Sequence, residues 1–306
     1  MGTILLFYKY VTIHHPKRLA KWQTKICQDL GLRGRVLIAH EGINGTLGGT
    51  IESISRYKML MQGQAYFADI DFKENSGSAF DFPRLRIAVR PTIVNFGIDP
   101  DKLTTQNAGT HLDPSEVHTL LSHKPDDLVI LDARNATESA VGKFTGAITP
   151  DIKHFRDLPA YIDNNSELFK DKQVLMYCTG GIRCERASAY LNEKKIAKRV
   201  FQVTGGIHRY AEQFPDGFFR GKNYVFDNRI TTSVNNDILG SCALCGTPYD
   251  GYVNCLNALC NKHFICCLTC LEQLHGTCSS QCATLLRENQ AQQRPPRTPS
   301  ISPSSS

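Results

Sequence analysis

The stretch Val174-Leu175-Met176-Tyr177-Cys178-Thr179-Gly180-Gly181-Ile182-Arg183-Cys184-Glu185-Arg186 decides the fold of the middle of the chain. An apolar run ends at Cys178, a loop with glycines follows, and a helical pattern begins near Arg186. A strand, a loop and a helix N-terminus together form a cradle for anions, because backbone N–H groups point inward and the helix dipole favours negative charge. A thiol in that field should have a lowered pKa, which a nucleophilic or sulfur-carrying cysteine needs.

The spacing of this loop indicates the kind of chemistry. Four residues separate Cys178 from Arg183, which resembles the rhodanese active-site loop Cys-x-x-Gly-x-Arg, whose cysteine carries a persulfide. Related cysteine phosphatases use a loop one residue longer, so the shorter loop favours sulfur chemistry over phosphoryl transfer. The alternative is a buried structural cysteine in a tight turn. Because several features converge on one thiol, we predict a catalytic Cys178, with substrate or anion bound by Thr179, Gly180, Gly181 and Arg183.

Cys184 follows the arginine of the loop and has two interpretations. It is a candidate resolving thiol, which would attack a persulfide or a sulfenate on Cys178. As the second residue of the predicted helix, it could instead simply pack inward. The sequence leaves both open.

Length and composition describe an ordinary soluble protein. The 306 residues suggest two or three domains, with 41% hydrophobic and 21% charged residues. A net charge of +6 is compatible with an anionic partner, although on charge alone an ordinary solvated surface is favoured. The sequence has no apolar stretch long enough to cross a bilayer, and residues 1–15 lack the layout of a signal peptide, so we expect a cytoplasmic protein.

Residues 1–96 have the pattern of a small α/β domain. Predicted strands and helices follow the order β-α-β-β-α-β, at residues 3–10, 16–30, 35–40, from 46, 51–61 and 85–94. This order predicts a ferredoxin-like, or acylphosphatase-like, sandwich. Asn44-Gly45 predicts a tight hairpin turn before the third strand. The many basic residues of this segment could neutralise RNA phosphates or merely coat a solvated face.

Residues 97–112 have no periodicity and are predicted to be a linker, and residues 113–236 are predicted to be an α/β domain with a mostly parallel sheet. A helix should start at Pro114 with Asp113 as its N-cap. Strands are expected at 128–132, 174–177 and 200–203. Because ligands in such folds bind beyond the carboxyl ends of the strands, Cys178 should lie at a binding edge.

Residues 240–285 form a cysteine-rich segment with four pairs of cysteines. The eight predicted metal ligands are Cys242, Cys245, Cys255, Cys260, Cys267, Cys270, Cys278 and Cys282. Thiolates at this spacing predict two structural zinc ions. We favour cross-braced pairing, first pair with third and second with fourth, although sequential pairing and ligation by Cys266, His263 or His275 stay open. Residues 286–306 are rich in Gln, Pro and Ser and are predicted to be a disordered tail.

The order of these signatures resembles the rhodanese-domain tRNA uridine hydroxylases, which use molecular oxygen to install 5-hydroxyuridine at the wobble position. The motifs that carry the resemblance are His40-Glu41-Gly42-Ile43-Asn44-Gly45-Thr46, Asp132-Ala133-Arg134-Asn135, the Cys178 loop, Gly205-Gly206-Ile207, Tyr224-Val225-Phe226-Asp227-Asn228-Arg229 and Phe264-Ile265-Cys266-Cys267. The resemblance implies a ferredoxin-like domain, a rhodanese domain and a cysteine-rich zinc module. It also implies a catalytic, persulfide-forming Cys178. Asp132, Arg134 and Glu138 either form a structural ion-pair network beneath the site or contact substrate, and the resemblance favours the structural role. An aromatic residue is commoner in the family just before Glu138.

Three functions are therefore considered. The first is oxygen-dependent hydroxylation of the wobble uridine in a tRNA anticodon loop, with dioxygen as co-substrate and an electron donor that the sequence does not identify. The second is a thiosulfate or persulfide sulfurtransferase, which moves sulfane sulfur from a small donor to cyanide, a thiol or an acceptor protein. A sulfur-donor protein or a small thiol is a possible partner. The third is a non-enzymatic adaptor that binds RNA or protein. An intact Cys178 loop argues against the third function.

Overall fold

The computed structural model describes residues 2–294. They form two compact units, residues 2–136 with 146–218 and residues 137–145 with 219–294. The first unit therefore combines the N-terminal segment with most of the predicted rhodanese segment. Among the described residues, no helix is both long and apolar enough to span a membrane.

The N-terminal part of the first unit is a five-stranded sheet with two helices. Its elements are β1 Gly2–Tyr10, α1 Pro16–Asp29, β2 Arg33–Ala39, β3 Gly42–Thr50, α2 Ile51–Gln62, β4 Phe72–Gly77 and β5 Leu85–Val89. The strand order is β4-β1-β3-β2-β5, in which the first four strands have the order of the predicted ferredoxin-like fold. Buried side chains of the strands, such as Phe7 and Val36, share one core with Ile26 of α1 and Ile54 of α2.

The strand predicted at residues 85–94 is present as β5, but it is not the strand that completes the ferredoxin-like order. The strand that completes the fold is β4, which pairs antiparallel with β1, whereas β5 is an additional edge strand parallel to β2. The strand β4 carries the polar sequence Lys-Glu-Asn-Ser, so it lacks the apolar alternation that would indicate a strand.

The predicted Asn44-Gly45 turn was also wrong. Strands β2 and β3 pair up to Ala39 and Gly42, so the turn is His40-Glu41, and Asn44 lies within β3 opposite Leu37. A Cβ atom at residue 45 would lie 2.3 Å from Cζ of Phe7, so the glycine makes room for an aromatic ring of the core. Packing, and not turn chemistry, explains this glycine.

The rest of the first unit is a parallel sheet between helices. Its elements are β6 Thr110–Leu112, α3 Pro114–His123, β7 Leu128–Asp132, α5 Leu158–Asn164, β9 Gln173–Tyr177, α6 Ile182–Lys194, β10 Arg199–Val203 and α7 Gly206–Gln213, while α4 Ala136–Ser139 leads to β8 Gly142–Phe144 of the second unit. The strand order is β6-β10-β9-β7. The N-cap Asp113 forms a capping box with Glu116, as its sequence position predicts.

The predicted linker needs a correction, because its last residues belong to this sheet. Strand β6 pairs in parallel with β10, from Thr110 opposite Phe201 to Leu112 opposite Val203. Leu103 is buried in the same core. Three residues are too few to show a periodicity in the sequence.

The second unit contains two small sheets and two helices. Its further elements are β11 Phe219–Tyr224, β12 Thr231–Ser233, β13 Tyr252–Asn254, β14 His263–Ile265, α8 Leu268–Gln273 and α9 Ser280–Arg287. Because β11 pairs with β8 and β12, residues 219–236 belong here and not to the predicted domain 113–236.

The predicted tail was wrong for residues 286–294. Helix α9 ends only at Arg287, and the Arg294 backbone N–H donates to Leu256 O at 2.8 Å. Residues 295–306 of the predicted tail lie outside the described residues.

Candidate active site and metal centres

The Cys178 sulfur lies where strand β9 ends and the loop to helix α6 begins. The backbone N–H of Gly181 donates to Cys178 Sγ at 3.1 Å. Gly181 is the N-cap of α6 and has a φ of 105°, a conformation that favours glycine. Arg183 Nη2 donates to Thr179 Oγ1 at 3.1 Å, so the arginine is held across the loop. The predicted loop residues are therefore gathered around one sulfur.

The turn at Gly205-Gly206, between β10 and α7, packs against this loop and is hydrogen-bonded to it. The N–H of Ile207 donates to Cys178 O at 2.9 Å, and the N–H of His208 donates to Thr179 O at 3.1 Å. A Cβ atom at Gly206, whose φ is 64°, would lie 2.4 Å from Cys178 O. Gly206 is thus explained by the close approach of two backbones at the carboxyl edge of the sheet, and Gly205 by its own φ of 69°.

The surroundings of Cys178 favour its thiolate. Burial raises the pKa of Cys178, but a hydrogen bond from the Cys184 thiol, the charge of Arg183 and the N–H groups of Arg183 and Gly181 outweigh burial and lower the pKa to about 5. Burial raises the pKa of Cys184 well above its usual range, and the hydrogen bond to Cys178 raises it further. The two sulfurs therefore form a thiolate–thiol pair at neutral pH.

Side chains of β1 cover the loop. A Cβ atom at Gly180 would lie 2.9 Å from Leu6 Cδ2, and one at Gly181 would lie 2.6 Å from Tyr8 Oη. Cys178 has 0% exposure. In this conformation the sulfur therefore has no exposed surface, and Leu6 and Tyr8 lie against the loop that carries it.

Two glutamates tie helix α6 to its neighbours. Glu185 accepts hydrogen bonds from Tyr8 at 3.1 Å and from Gln202 at 3.2 Å. Glu41, in the β2–β3 turn, accepts from the N–H of Ile93 at 2.8 Å and lies 3.3 Å from Nη2 of the buried Arg186. The turn within the His40–Thr46 motif therefore lies at His40-Glu41 and not at Asn44-Gly45, and its glutamate pairs with Arg186 of helix α6.

Asp132 and Arg134 form a fully buried ion pair next to β9. Arg134 donates to Asp132 through Nε at 2.9 Å and through Nη2 at 2.7 Å. The hydroxyl of Tyr177, the residue before Cys178, also donates to Asp132 at 2.7 Å. This arrangement supports the structural interpretation of the pair. Glu138 is buried and lies in the second unit.

The eight predicted metal ligands form two groups of four sulfurs. In each group, all sulfur atoms lie within 4.8 Å of one another; the groups are Cys242, Cys245, Cys267 and Cys270, and Cys255, Cys260, Cys278 and Cys282. The grouping is cross-braced, with the first pair beside the third and the second beside the fourth. The substitutes Cys266, His263 and His275 belong to neither group within the described residues.

Sequence reasoning missed the residues that cover and anchor the loop. Tyr8, Tyr10 and Leu6 lie on β1, far from Cys178 in the chain, and Tyr10 donates to Ile182 O at 3.4 Å. Their only signal is the alternation of β1, which places these partly exposed residues on the face opposite the buried Leu5 and Phe7.

Comparison with known families divides the chain into three matched segments. The model described as "UPF0176 acylphosphatase like domain" matches residues 2–93. The model described as "Rhodanese-like domain" matches residues 113–213. The model described as "Rhodanase C-terminal" matches residues 220–283. These matches agree with the architecture of the two units.

Curated relatives match the chain over most of its length. A protein of Listeria monocytogenes named tRNA uridine(34) hydroxylase is 39% identical, over 91% of this chain and 88% of its own. Proteins of the same name from Staphylococcus saprophyticus and from the Aster yellows witches'-broom phytoplasma are also 39% identical, each over 92% of this chain. Those alignments cover 89% and 92% of the two relatives.

Proposed function

The chain belongs to the tRNA uridine(34) hydroxylase family, and we propose that it hydroxylates the wobble uridine of tRNA to 5-hydroxyuridine with molecular oxygen. The observation that carries this proposal beyond the family name is the cradled Cys178 sulfur, whose pKa is lowered to about 5. A thiolate at neutral pH is the reactive form of cysteine. The reaction is an oxidation, so the protein is an oxidoreductase on a rhodanese fold.

In this proposal, Cys178 is the reacting or persulfide-bearing residue. The charge of Arg183 and the N–H groups of Gly181 and Arg183 stabilise negative charge on its sulfur adduct, Gly180 gives the loop its shape, and Thr179 holds Arg183 in position. The target uridine leaves its stack to reach the sulfur, and an unpaired anticodon loop makes this step easier than a duplex would.

We assign Cys184 the role of resolving thiol. Its thiol hydrogen-bonds to the Cys178 sulfur, so it is placed to attack an oxidised form of that residue. Attack on a sulfenate forms a disulfide and releases water, whereas attack on a persulfide forms the same disulfide and releases hydrogen sulfide. Two molecules of a small thiol then reduce this disulfide to the two cysteines and are themselves oxidised to a disulfide, after which a sulfur-donor protein can pass sulfane sulfur to Cys178.

We also propose that each group of four cysteines holds a structural zinc ion. Zinc bound tetrahedrally at about 2.3 Å from each sulfur separates the sulfurs by about 3.8 Å. The distance between Cys245 Sγ and Cys267 Sγ is 3.7 Å, and that between Cys260 Sγ and Cys278 Sγ is 3.5 Å. Four thiolates also suit zinc better than a hard ion.

The cytoplasm, where tRNA works, is the location that we propose.

The decisive experiment measures nucleosides in tRNA. Purified protein is incubated with unmodified tRNA under labelled dioxygen, and mass spectrometry detects labelled 5-hydroxyuridine at position 34. Cys178→Ser should abolish the product, whereas Cys27→Ser, which changes another buried cysteine of the first unit, should retain it. Absence of the product with the wild-type protein and a thiol reductant would refute the proposal.

A sulfurtransferase is the second candidate, because the same cradle would stabilise a persulfide on Cys178. Thiosulfate turnover measured on the same preparation separates the two functions. Rapid sulfur transfer without any hydroxyuridine would favour the sulfurtransferase. Full cellular function of Cys178→Ala would instead favour the non-enzymatic adaptor.

A further inference from the structure

A row of side chains crosses the N-terminal sheet and begins at the Cys178 loop. Leu6 pairs with Thr46, Thr46 pairs with Arg35, and Arg35 pairs with Arg86. Directly paired residues on neighbouring strands project to the same face. Leu6 lies against Gly180 of the loop, so the row connects the cover of the thiolate to two arginines.

The arginine end of this row is open to solvent. Arg35 and Arg86 are exposed, while Val36, which follows Arg35 in β2, is buried in the core with the helices. A hollow of about 360 Å³ lies beside them, and Arg90, Gln28 and Thr24 also contribute to its lining.

In the part of the chain that the structure describes, no carboxylate neutralises these arginines. Within residues 2–294, no ion pair to a carboxylate involves Arg35, Arg86 or Arg90, and Arg90 donates only to the carbonyl oxygen of Val89, at 3.1 Å. Like charges directly opposite one another on neighbouring strands destabilise a sheet. A polyanion that binds there would relieve this repulsion. A face that contacts only solvent would gain nothing from two arginines placed opposite each other.

The distance between the Cys178 loop and the arginines suits an RNA that contacts both at once. Neighbouring strands are about 4.8 Å apart, so Arg35, two strands from Leu6, lies about 10 Å from it, and Arg86 lies about 14 Å from it. An RNA strand whose target base reaches the loop would therefore carry its flanking phosphates over the arginines.

We propose that Arg35, Arg86 and Arg90 form a phosphate-binding surface that holds the backbone of the tRNA anticodon arm beside the Cys178 loop. This inference rests on the proposed function and names the surface by which that site takes its substrate. Guanidinium groups suit the task because they bind phosphate oxygens in a bidentate manner. Contacts to phosphates position the RNA and do not select among bases.

The test compares two double variants with the same change in charge. Arg35→Gln/Arg86→Gln alters the surface, and Arg56→Gln/Arg199→Gln alters two other exposed arginines, on α2 and at the start of β10. Binding of an unmodified tRNA transcript is measured over a range of salt concentrations. The first variant should bind at least about tenfold more weakly, which corresponds to about 1.4 kcal/mol, because it removes two charged donors to phosphate oxygens. The slope of log affinity against log salt should fall by about 1.5–2. The control should bind almost as the wild type does.

Hydroxylation kinetics and a titration of the Cys178 thiol distinguish failure of the proposed binding surface from failure of the proposed reaction. The surface variant should have a raised KM with kcat retained, and its Cys178 should titrate as in the wild type, because the arginines do not touch the sulfur. Equal affinity and salt dependence in the two variants would overturn the inference, even if the wild type makes hydroxyuridine. Arginine-dependent binding with no hydroxyuridine would uphold the surface and overturn the proposed reaction.

Discussion

Replacing Cys184 by alanine should raise the pKa of Cys178 by a predictable amount. The Cys184 thiol donates a hydrogen bond to the Cys178 sulfur, whose pKa is about 5. A hydrogen bond to a charged group contributes about 1.5–3 kcal/mol, and one pKa unit corresponds to about 1.4 kcal/mol. The pKa of Cys178 in Cys184→Ala should therefore rise to between about 6 and 7. At pH 6, the ionised fraction should fall from about nine-tenths to a half or less.

The ultraviolet absorbance of the thiolate measures this change directly. A titration of each protein is compared with the titration of the same protein carrying Cys178→Ser, so that the other cysteines cancel. Cys184→Ser is the matched control, because its hydroxyl keeps a hydrogen-bond donor near the sulfur, and its midpoint should stay closer to that of the wild type.

Two results would contradict this reasoning. An unchanged midpoint in Cys184→Ala would show that the hydrogen bond does not stabilise the thiolate. An equal rise in the serine and alanine variants would show that the donor is not the cause. The resolving role is separate, since serine cannot form a disulfide, and both variants should lose repeated turnover of tRNA.

Three further predictions concern stability and metal content. Arg134→Met should destabilise the first unit by about 3–5 kcal/mol in urea denaturation, because it leaves the buried Asp132 carboxylate unpaired, whereas adding Asp132→Asn should recover part of the loss; equal stability of the single and double variants would contradict this. Elemental analysis should find about two zinc ions per chain, with fewer in Cys245→Ser and an unchanged number in Cys266→Ser, which lies outside both groups; a metal-free wild type would remove the assignment. The lowered pKa of Cys178 contributes stability that is fully present above the ordinary thiol pKa of 9.0 and is lost as pH falls through about 5. As pH falls from 9 to 5, the free energy of unfolding of the wild type should therefore decrease by up to about 1.4 kcal/mol per pH unit relative to that of Cys178→Ala. Parallel plots of stability against pH for the two proteins would contradict this.

Local chemistry was predictable from the sequence. The Cys178 loop needs only a strand end, two glycines and a helix start, all within a few residues of one another. The metal-binding cysteine pairs were equally predictable, because the short spacing within each pair is itself the sequence signal for a metal site. The cross-braced grouping required the fold, and the structure agrees with the favoured pairing.

Long-range features could not be predicted in the same way. Gly45 looked like a turn residue, yet its reason is the Phe7 ring on a neighbouring strand. The polar strand β4 has its place because it pairs with β1, which no local pattern reveals. The cover over Cys178 likewise joins Tyr8 to Glu185, residues from opposite ends of the first unit. Each of these features depends on a pairing between distant segments, on which local propensity has little influence.

The cover has a consequence for the durability of the protein. A thiolate that is ionised at neutral pH is ordinarily the first side chain lost to peroxides and electrophiles. Leu6 and Tyr8 lie against the loop and Cys178 has no exposed surface, so in this conformation such reagents have no direct route to the sulfur. Burial therefore protects the same sulfur that has to react, and a variant with smaller side chains at these two positions should inactivate faster in dilute hydrogen peroxide than the wild type does.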